Sequence, residues 1–136
     1  MGTMIVLREY KRVARAIREG RCSVRTQWED DTELLEKTFG SRGFFEGIVE
    51  ENTPEPLLKI SPARLEACLD EIAGLIEELP EEEELARMMD RAGCKRSVYE
   101  IGLSEEMIPQ SLKLAPYVRR RLSFLRILRM LRIEGE

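Results

Sequence analysis

Apolar residues at helical spacing run through most of this chain, and the clearest run follows Ser61-Pro62. This pair combines an N-capping side chain with a proline at the first helical position. Apolar residues then recur every three or four positions as far as Pro80, at Leu65, Cys68, Leu69, Ile72, Leu75, Ile76 and Leu79. That period places them on one face of a helix. Since no stretch with the alternation of a strand accompanies it, the sequence predicts an all-α fold.

Glycine, proline and capping residues mark the ends of the other predicted helices. The first helix covers residues 3–19 and ends at Gly20, and the second covers about residues 29–39 and ends at Gly40. Later helices are predicted from Ser61 to Pro80, Pro80 to Gly93, Ser104 to Pro116, and Ser123 to Leu131. The chain of 136 residues has the length of one domain. We therefore predict a single-domain helical bundle of about five to seven helices over residues 1–136.

Two apolar regions of the predicted helices indicate where they contact other elements. In the helix after Ser104, the inward face is predicted to consist of Met107, Ile108, Leu112 and Ala115. In the first helix, residues 4–7 are apolar on every side, unlike the turns that follow them. A helix end of this kind is normally covered by another element.

Side chains that commonly perform catalysis or bind metal are scarce. Histidine is absent, which removes the commonest general base and transition-metal ligand. Cys22, Cys68 and Cys94 are too widely spaced for a zinc motif, and they are too few for a disulfide framework. The acidic run at residues 81–84 points in different directions around a helix and suits the positive end of its dipole. We therefore predict no catalytic, cofactor-binding or metal-binding residues.

A basic segment runs from Met107 to Ile133, with seven basic residues and no acidic one, in a chain of net charge −4. The candidate residues for binding an anion or a partner are Arg119, Arg120, Arg121, Arg126, Arg129 and Arg132. Such a patch attracts phosphates, nucleic acid or anionic lipid. However, no recognised DNA or RNA motif accompanies it, and the glutamates of residues 77–84 could pair with it. A solvated or acid-paired face is the preferred interpretation, and polyanion binding is the alternative.

The sequence also bears on location. No apolar run approaches the roughly 18 residues of a membrane span. The first 17 residues, MGTMIVLREYKRVARAI, place arginine and glutamate where a signal peptide needs its apolar core. We therefore expect a cytoplasmic protein without a membrane segment. Scarce asparagine and glutamine beside abundant arginine and glutamate favour a thermophilic source.

The last third of the chain resembles a known family. The residues concerned are Ala92-Gly93-Cys94, then Glu100-Ile101-Gly102-Leu103, then Ala115 to Leu125, which reads APYVRRRLSFL. They are similar to the end of glycerol-1-phosphate dehydrogenases, A-G-x-P … E-I-G-[LI] … A-x-x-[IL]-R-x-R-[FY]-[ST]-x-L. These enzymes belong to the iron-containing alcohol dehydrogenase and dehydroquinate synthase superfamily. Leu122 departs from the pattern, because the family tends to carry an aromatic residue there.

A weaker likeness lies at the start of the chain. Met1-Gly2-Thr3-Met4, with Leu7 and Tyr10, resembles the helix that follows the last metal-binding histidine of such enzymes. Family members bind a nicotinamide nucleotide on an N-terminal α/β domain and hold a divalent metal with one aspartate and two histidines. None of those positions exists in this sequence, so no catalytic or cofactor residue of the family is carried over.

The resemblance implies the fold of the C-terminal helical domain of dehydroquinate synthase-like dehydrogenases. It also implies a non-catalytic domain that serves a separate nucleotide-binding half as a partner subunit, or that persists as a remnant. Whether the chain completes a split NAD(P)-dependent dehydrogenase stays open. Apolar surface near residues 4–7 and on the last helix is expected to be covered by that partner or by self-association into a homo-oligomer.

Overall fold

A computed structural model describes residues 1–135, which are mostly helical, at 65% helix and 4% strand. The α-helices are α1 (Gly2–Arg18), α2 (Thr32–Phe39), α3 (Phe45–Glu51), α4 (Pro62–Ala67), α5 (Leu69–Glu77), α6 (Glu82–Arg91), α7 (Ile108–Leu114) and α8 (Phe124–Ile127). Two three-residue strands, β1 (Cys22–Val24) and β2 (Leu131–Ile133), pair in a small sheet. The predicted all-α class is confirmed. No helix within residues 1–135 has both the length and the apolar character needed to cross a membrane.

Local capping signals located several helix ends correctly. The Ser61 hydroxyl accepts a hydrogen bond from the Arg64 amide at 3.4 Å, at the start of α4. The Ser123 hydroxyl accepts one from the Arg126 amide at 3.3 Å, at the start of α8. Gly93 follows α6 with φ of 67°, the left-handed conformation that glycine adopts most easily.

The last helix is much shorter than predicted. It ends at Ile127, a single 3-10 turn covers Leu128–Met130, and β2 follows. The amides of Arg25 and Glu29 donate to the carbonyls of Met130 and Arg129 at 2.7 and 2.8 Å. These long-range bonds give partners to the carbonyls of Arg129 and Met130, which would be unpaired at the end of the predicted helix, and so favour the extended chain here.

By their contacts, the described residues group into two compact units, and the single domain stays a prediction. Unit 1 contains Met1–Ser23, Ala67–Pro109 and residues 133–135. In this unit α1 packs against α5 and α6. Its core consists of Met4, Leu7, Val13, Ala14, Ala16 and Ile17 from α1, Leu69, Ala73 and Ile76 from α5, Met89 from α6, and Val98 from the segment that follows. Exposed apolar surface was expected at residues 4–7; Met4 and Leu7 are buried instead, and Ile5 and Val6 are half-buried.

Ion pairs join the same helices of unit 1. Arg18 contacts Glu77 at 2.9 Å, Lys11 contacts Glu81 at 2.8 Å, and Arg8 pairs with Glu82. The acidic residues that could have faced the C-terminal arginines therefore pair with the basic side of α1. These pairs are exposed to solvent, so each contributes little to stability.

Unit 2 contains Val24–Glu66 and Gln110–Arg132. Its apolar cluster is formed by Leu35, Leu114 and Tyr117, against which Leu34, Phe39, Phe45 and Ile48 pack. The predicted inward face of the helix after Ser104 is therefore partly wrong. Leu114 is buried, whereas Met107 and Ala115 are exposed, because α7 begins only at Ile108 after a 3-10 turn.

The same glycine-to-alanine change is expected to have opposite effects at two positions. Gly102 has φ of 76°, so Gly102→Ala should lower the free energy of unfolding by about 1 kcal/mol. Gly47 lies inside α3 with open space around its Cβ position, so Gly47→Ala should raise it by about 0.5–1 kcal/mol. Urea unfolding of both variants checks the prediction, and effects of equal sign would contradict it.

Candidate functional site

Two arginines of the predicted basic patch are buried in unit 2. Arg126 is 0% exposed and Arg129 is 8% exposed. They stand three positions apart at α8 and the turn after it, a spacing that puts both on one side of the helical backbone. A buried charge without partners costs several kcal/mol of stability. The nature of their partners therefore decides what these residues can do.

The Arg126 guanidinium is held mainly by an acid, an amide and the backbone. Its Nη1 donates to Glu55 Oε1 at 2.9 Å, and its Nη2 donates to Asn52 Oδ1 at 2.6 Å. The Nη2 group also donates to the carbonyl oxygens of Pro116 and Arg119, the latter at 3.2 Å. Arg126 Nε is the one buried side-chain nitrogen or oxygen within residues 1–135 that has no hydrogen-bond partner.

The Arg129 guanidinium completes a charge-balanced cluster. Its Nη1 donates to Glu55 Oε2 at 2.8 Å, and its Nε lies 3.1 Å from Asp31 Oδ2. Its Nη2 also donates to the carbonyl oxygen of Glu29 at 2.9 Å. Two positive arginines thus face two carboxylates, and each oxygen of Glu55 accepts from a different arginine. We call Asp31, Asn52, Glu55, Tyr117, Arg126 and Arg129 the arginine network.

Tyr117 joins the network through both its ring and its hydroxyl. The guanidinium carbons of Arg126 and Arg129 lie 5.4 and 4.9 Å from the ring centroid, within cation–π range. The hydroxyl donates to Asp31 Oδ2 at 3.0 Å. Burial raises the pKa of Tyr117 strongly; the Asp31 carboxylate adds to this, and nearby Arg129 opposes it. Tyr117 therefore remains a neutral hydrogen-bond donor at physiological pH.

Glu55 is held in its charged form. Burial raises the pKa of its carboxyl, but hydrogen bonds from Arg129 and Arg126 outweigh burial, so the net pKa lies below its ordinary value of 4.5. An ionised acid between two arginines is a poor proton donor, and the arginines do not release protons. The network therefore favours a structural role over acid–base chemistry.

The arginine network fixes the backbone of an exposed segment, Val118–Leu122, which we call the basic loop. Arg126 holds the carbonyls of Pro116 and Arg119, and Asn52 Nδ2 donates to the carbonyl of Tyr117 at 2.9 Å. The loop displays apolar ends, with Val118 77% and Leu122 51% exposed, around three exposed arginines, Arg119, Arg120 and Arg121. A loop held by buried groups presents its exposed side chains in a defined arrangement.

The structure separates the six arginines predicted as one patch. Arg126 and Arg129 are enclosed by acids of this chain, so their guanidinium groups are not open to an external anion. Arg119, Arg120, Arg121 and Arg132 are exposed. The two buried arginines pair with Glu55 and Asp31, and not with the glutamates of residues 77–84 that the sequence suggested.

Unit 1 carries an exposed apolar segment, Tyr99–Met107, which we call the apolar turn. Four of its side chains are exposed: Tyr99 at 63%, Ile101 at 47%, Leu103 at 40% and Met107 at 49%. Its backbone is ordered, since the amides of Gly102 and Leu103 donate to the carbonyls of Tyr99 and Val98, both at 3.0 Å.

An internal cap at the start of the apolar turn adds to this order. The Glu100 carboxylate accepts hydrogen bonds from the amides of Arg96 and Ser97, at 2.9 and 3.1 Å. These backbone bonds lower the pKa of Glu100 below its ordinary value, so the cap is present at neutral pH. The apolar side chains are thus displayed outward by a turn that is built from its own backbone.

Sequence reasoning did not identify Asp31, Asn52, Glu55 or Tyr117 as site residues. Only the two arginines could have been recognised from the local sequence, because Arg126 and Arg129 stand among the apolar residues of the last helix. Within residues 1–135, no group of three or more histidine, cysteine, aspartate or glutamate side chains is placed to hold a metal ion. No protein-family model, no curated protein and no solved structure matches this chain.

Proposed function

We propose that this chain is a non-catalytic helical partner subunit, related to the C-terminal half of glycerol-1-phosphate dehydrogenases. Its partner would be a separate polypeptide that carries a nucleotide-binding half of that enzyme class. The residue pattern over positions 92–125 supports the relationship. The arginine network supports a structural role, because its charges are balanced within the chain.

The observation that carries this proposal is the exposure of the apolar turn. Ile101 and Leu103 belong to the E-I-G-L stretch that resembles the family, and both side chains are exposed on an ordered backbone. Exposed apolar side chains are ordinary when scattered, but four of them fall within nine residues here, and we infer that they serve as a contact surface. Removing them from water favours association by about 25 cal/mol for each Å² of apolar surface buried.

Binding to a nucleotide-binding half tests the proposal. The probe is the separately expressed nucleotide-binding domain of a glycerol-1-phosphate dehydrogenase, titrated with the purified chain in a calorimeter. We expect binding that Leu103→Asp weakens by about tenfold or more, because it places a charge in the contact surface. Leu75→Asp is the matched control, since Leu75 lies on α5 of the same unit and is 65% exposed. It should bind like the unmodified chain.

Two results would overturn the proposal. Absence of binding at high micromolar concentration would remove the partner role. Turnover of glycerol-1-phosphate with NAD by the purified chain alone would remove the non-catalytic role. Both measurements require folded protein, which circular dichroism establishes for each variant.

Polyanion binding is the second candidate function, and it is favoured by the four exposed arginines, Arg119, Arg120, Arg121 and Arg132. Only four of the six arginines remain open, so the expected affinity is weaker than the sequence indicates. Duplex DNA that binds at low salt and dissociates steeply as salt rises would support this function. Failure to bind at low salt would exclude it.

A further inference from the structure

A groove in unit 2 lies where the basic loop meets α3. Asn52 Nδ2 bridges the two elements, since it donates to the carbonyls of Ile48 and Tyr117, both at 2.9 Å. Arg120 Nη1 donates to the carbonyl of Thr53 at 3.2 Å, just beyond α3. The groove has a volume of about 490 Å³ and is lined by Gly47, Glu50, Glu51 and Arg120.

The lining of the groove carries charges of both signs. Glu50 and Glu51 lie on α3 and Arg120 lies on the basic loop, and all three are exposed. Gly47 leaves the groove open, because no atom lies within 4 Å of its Cβ position. Exposed apolar residues adjoin the charges in the chain: Val49 precedes Glu50, and Val118 and Leu122 stand two positions on either side of Arg120.

We propose that this surface binds a second copy of the same chain about a twofold axis. In a twofold interface, residue i of one copy meets residue j of the other, and j meets i. A patch with acids on one side and a base on the other is complementary to itself in that arrangement. Arg120 of each copy would then face Glu50 and Glu51 of its partner, and Val118 and Leu122 would lose solvent exposure.

Charge complementarity favours a second copy over other occupants. A polyanion that approached Arg120 would also meet Glu50 and Glu51, which repel it. An acidic protein surface would meet the same repulsion, and a basic surface would be repelled by the arginines of the loop. A partner with both signs in matching positions avoids these penalties. The proposal is independent of the partner subunit role, which rests on unit 1.

Charge reversal and complementation test the proposal by sedimentation equilibrium across micromolar concentrations. The unmodified chain should form a dimer that weakens as salt rises. Arg120→Glu should weaken dimerisation by about tenfold or more. In each of the two symmetry-related contacts, the new glutamate would face Glu50 and Glu51 of the other copy. The pair Glu50→Arg and Glu51→Arg in one chain should have the same effect. Arg42→Glu is the matched control, since Arg42 is exposed in unit 2 and does not line the groove.

Mixing the two disrupted variants gives the decisive result. The Arg120→Glu chain is acidic on both sides of the groove, and the Glu50→Arg, Glu51→Arg chain is basic on both sides. Each should be a monomer alone, and the mixture should form a heterodimer, because both contacts become attractive again. A loss of folding cannot produce this gain.

Three outcomes would overturn the proposal. The unmodified chain could remain a monomer at high micromolar concentration. Its dimer could be weakened equally by Arg120→Glu and by the Arg42→Glu control. The mixture of the two reversed variants could fail to associate although both melt cooperatively.

Discussion

Arg126→Met is expected to lower the free energy of unfolding by about 3–5 kcal/mol, because it removes one partner of a buried ion pair. Methionine keeps the length and apolar character of the side chain, but it donates no hydrogen bond. Glu55 would keep one arginine partner, Arg129, and the side-chain oxygen of Asn52 and two backbone carbonyls would lose a donor. Urea unfolding followed by circular dichroism measures the change.

Arg132→Met is the matched control for this prediction. Arg132 is an exposed arginine of the same basic segment, and its substitution should change stability by less than about 0.5 kcal/mol. Hydrogen exchange adds a local readout. The amides of the basic loop should exchange faster in Arg126→Met, since its main-chain anchors are lost. A cost below about 1 kcal/mol for Arg126→Met would contradict the importance of the network.

Glu55→Gln is expected to lower the free energy of unfolding by about 2–4 kcal/mol near neutral pH. The amide occupies the same space, but it leaves two buried guanidinium groups without the negative charge that both now face. Glu36→Gln is the matched control, since Glu36 is exposed on α2 of the same unit, and it should change stability by less than about 0.5 kcal/mol.

The effect of Glu55→Gln should depend on pH. Because folding lowers the pKa of Glu55, its carboxylate contributes stability that is fully present above the ordinary pKa of 4.5. That contribution is lost as the pH falls through the lower pKa of the folded state. The stability difference between the unmodified chain and Glu55→Gln should therefore stay constant down to about pH 5 and shrink below it. Other acids titrate in both proteins, so the difference isolates Glu55; a difference that grew in acid would contradict this assignment.

Local signals predicted much of the fold but little of the site. Ser61 and Ser123 cap helices through neighbours three residues away, so their role is visible in a short stretch of sequence. The break between α4 and α5 at Cys68 and the early end of α8 were not predicted. For α8 the cause is clear, because its end depends on bonds to Arg25 and Glu29, about a hundred residues away.

The arginine network shows why the site itself was not predictable. Arg126 and Glu55 are 71 positions apart, and Tyr117 and Asp31 are 86 apart. No periodicity connects residues at such distances. The residue types around Arg126 and Arg129 are also similar to those around the exposed arginines of the same segment. Burial alone distinguishes Arg126 and Arg129 from Arg119 and Arg132, and burial is a property of the folded chain.

The anchoring of the basic loop through main-chain carbonyls has a consequence for how its surface can change. Asn52 and Arg126 bind the backbone oxygens of Pro116, Tyr117 and Arg119, and Arg120 adds a bond from its own side chain to the Thr53 carbonyl. The displayed side chains other than Arg120 can thus be exchanged while the main-chain anchors are retained. Evolution or protein engineering could therefore change the binding specificity of this stretch and leave the arginine network unchanged.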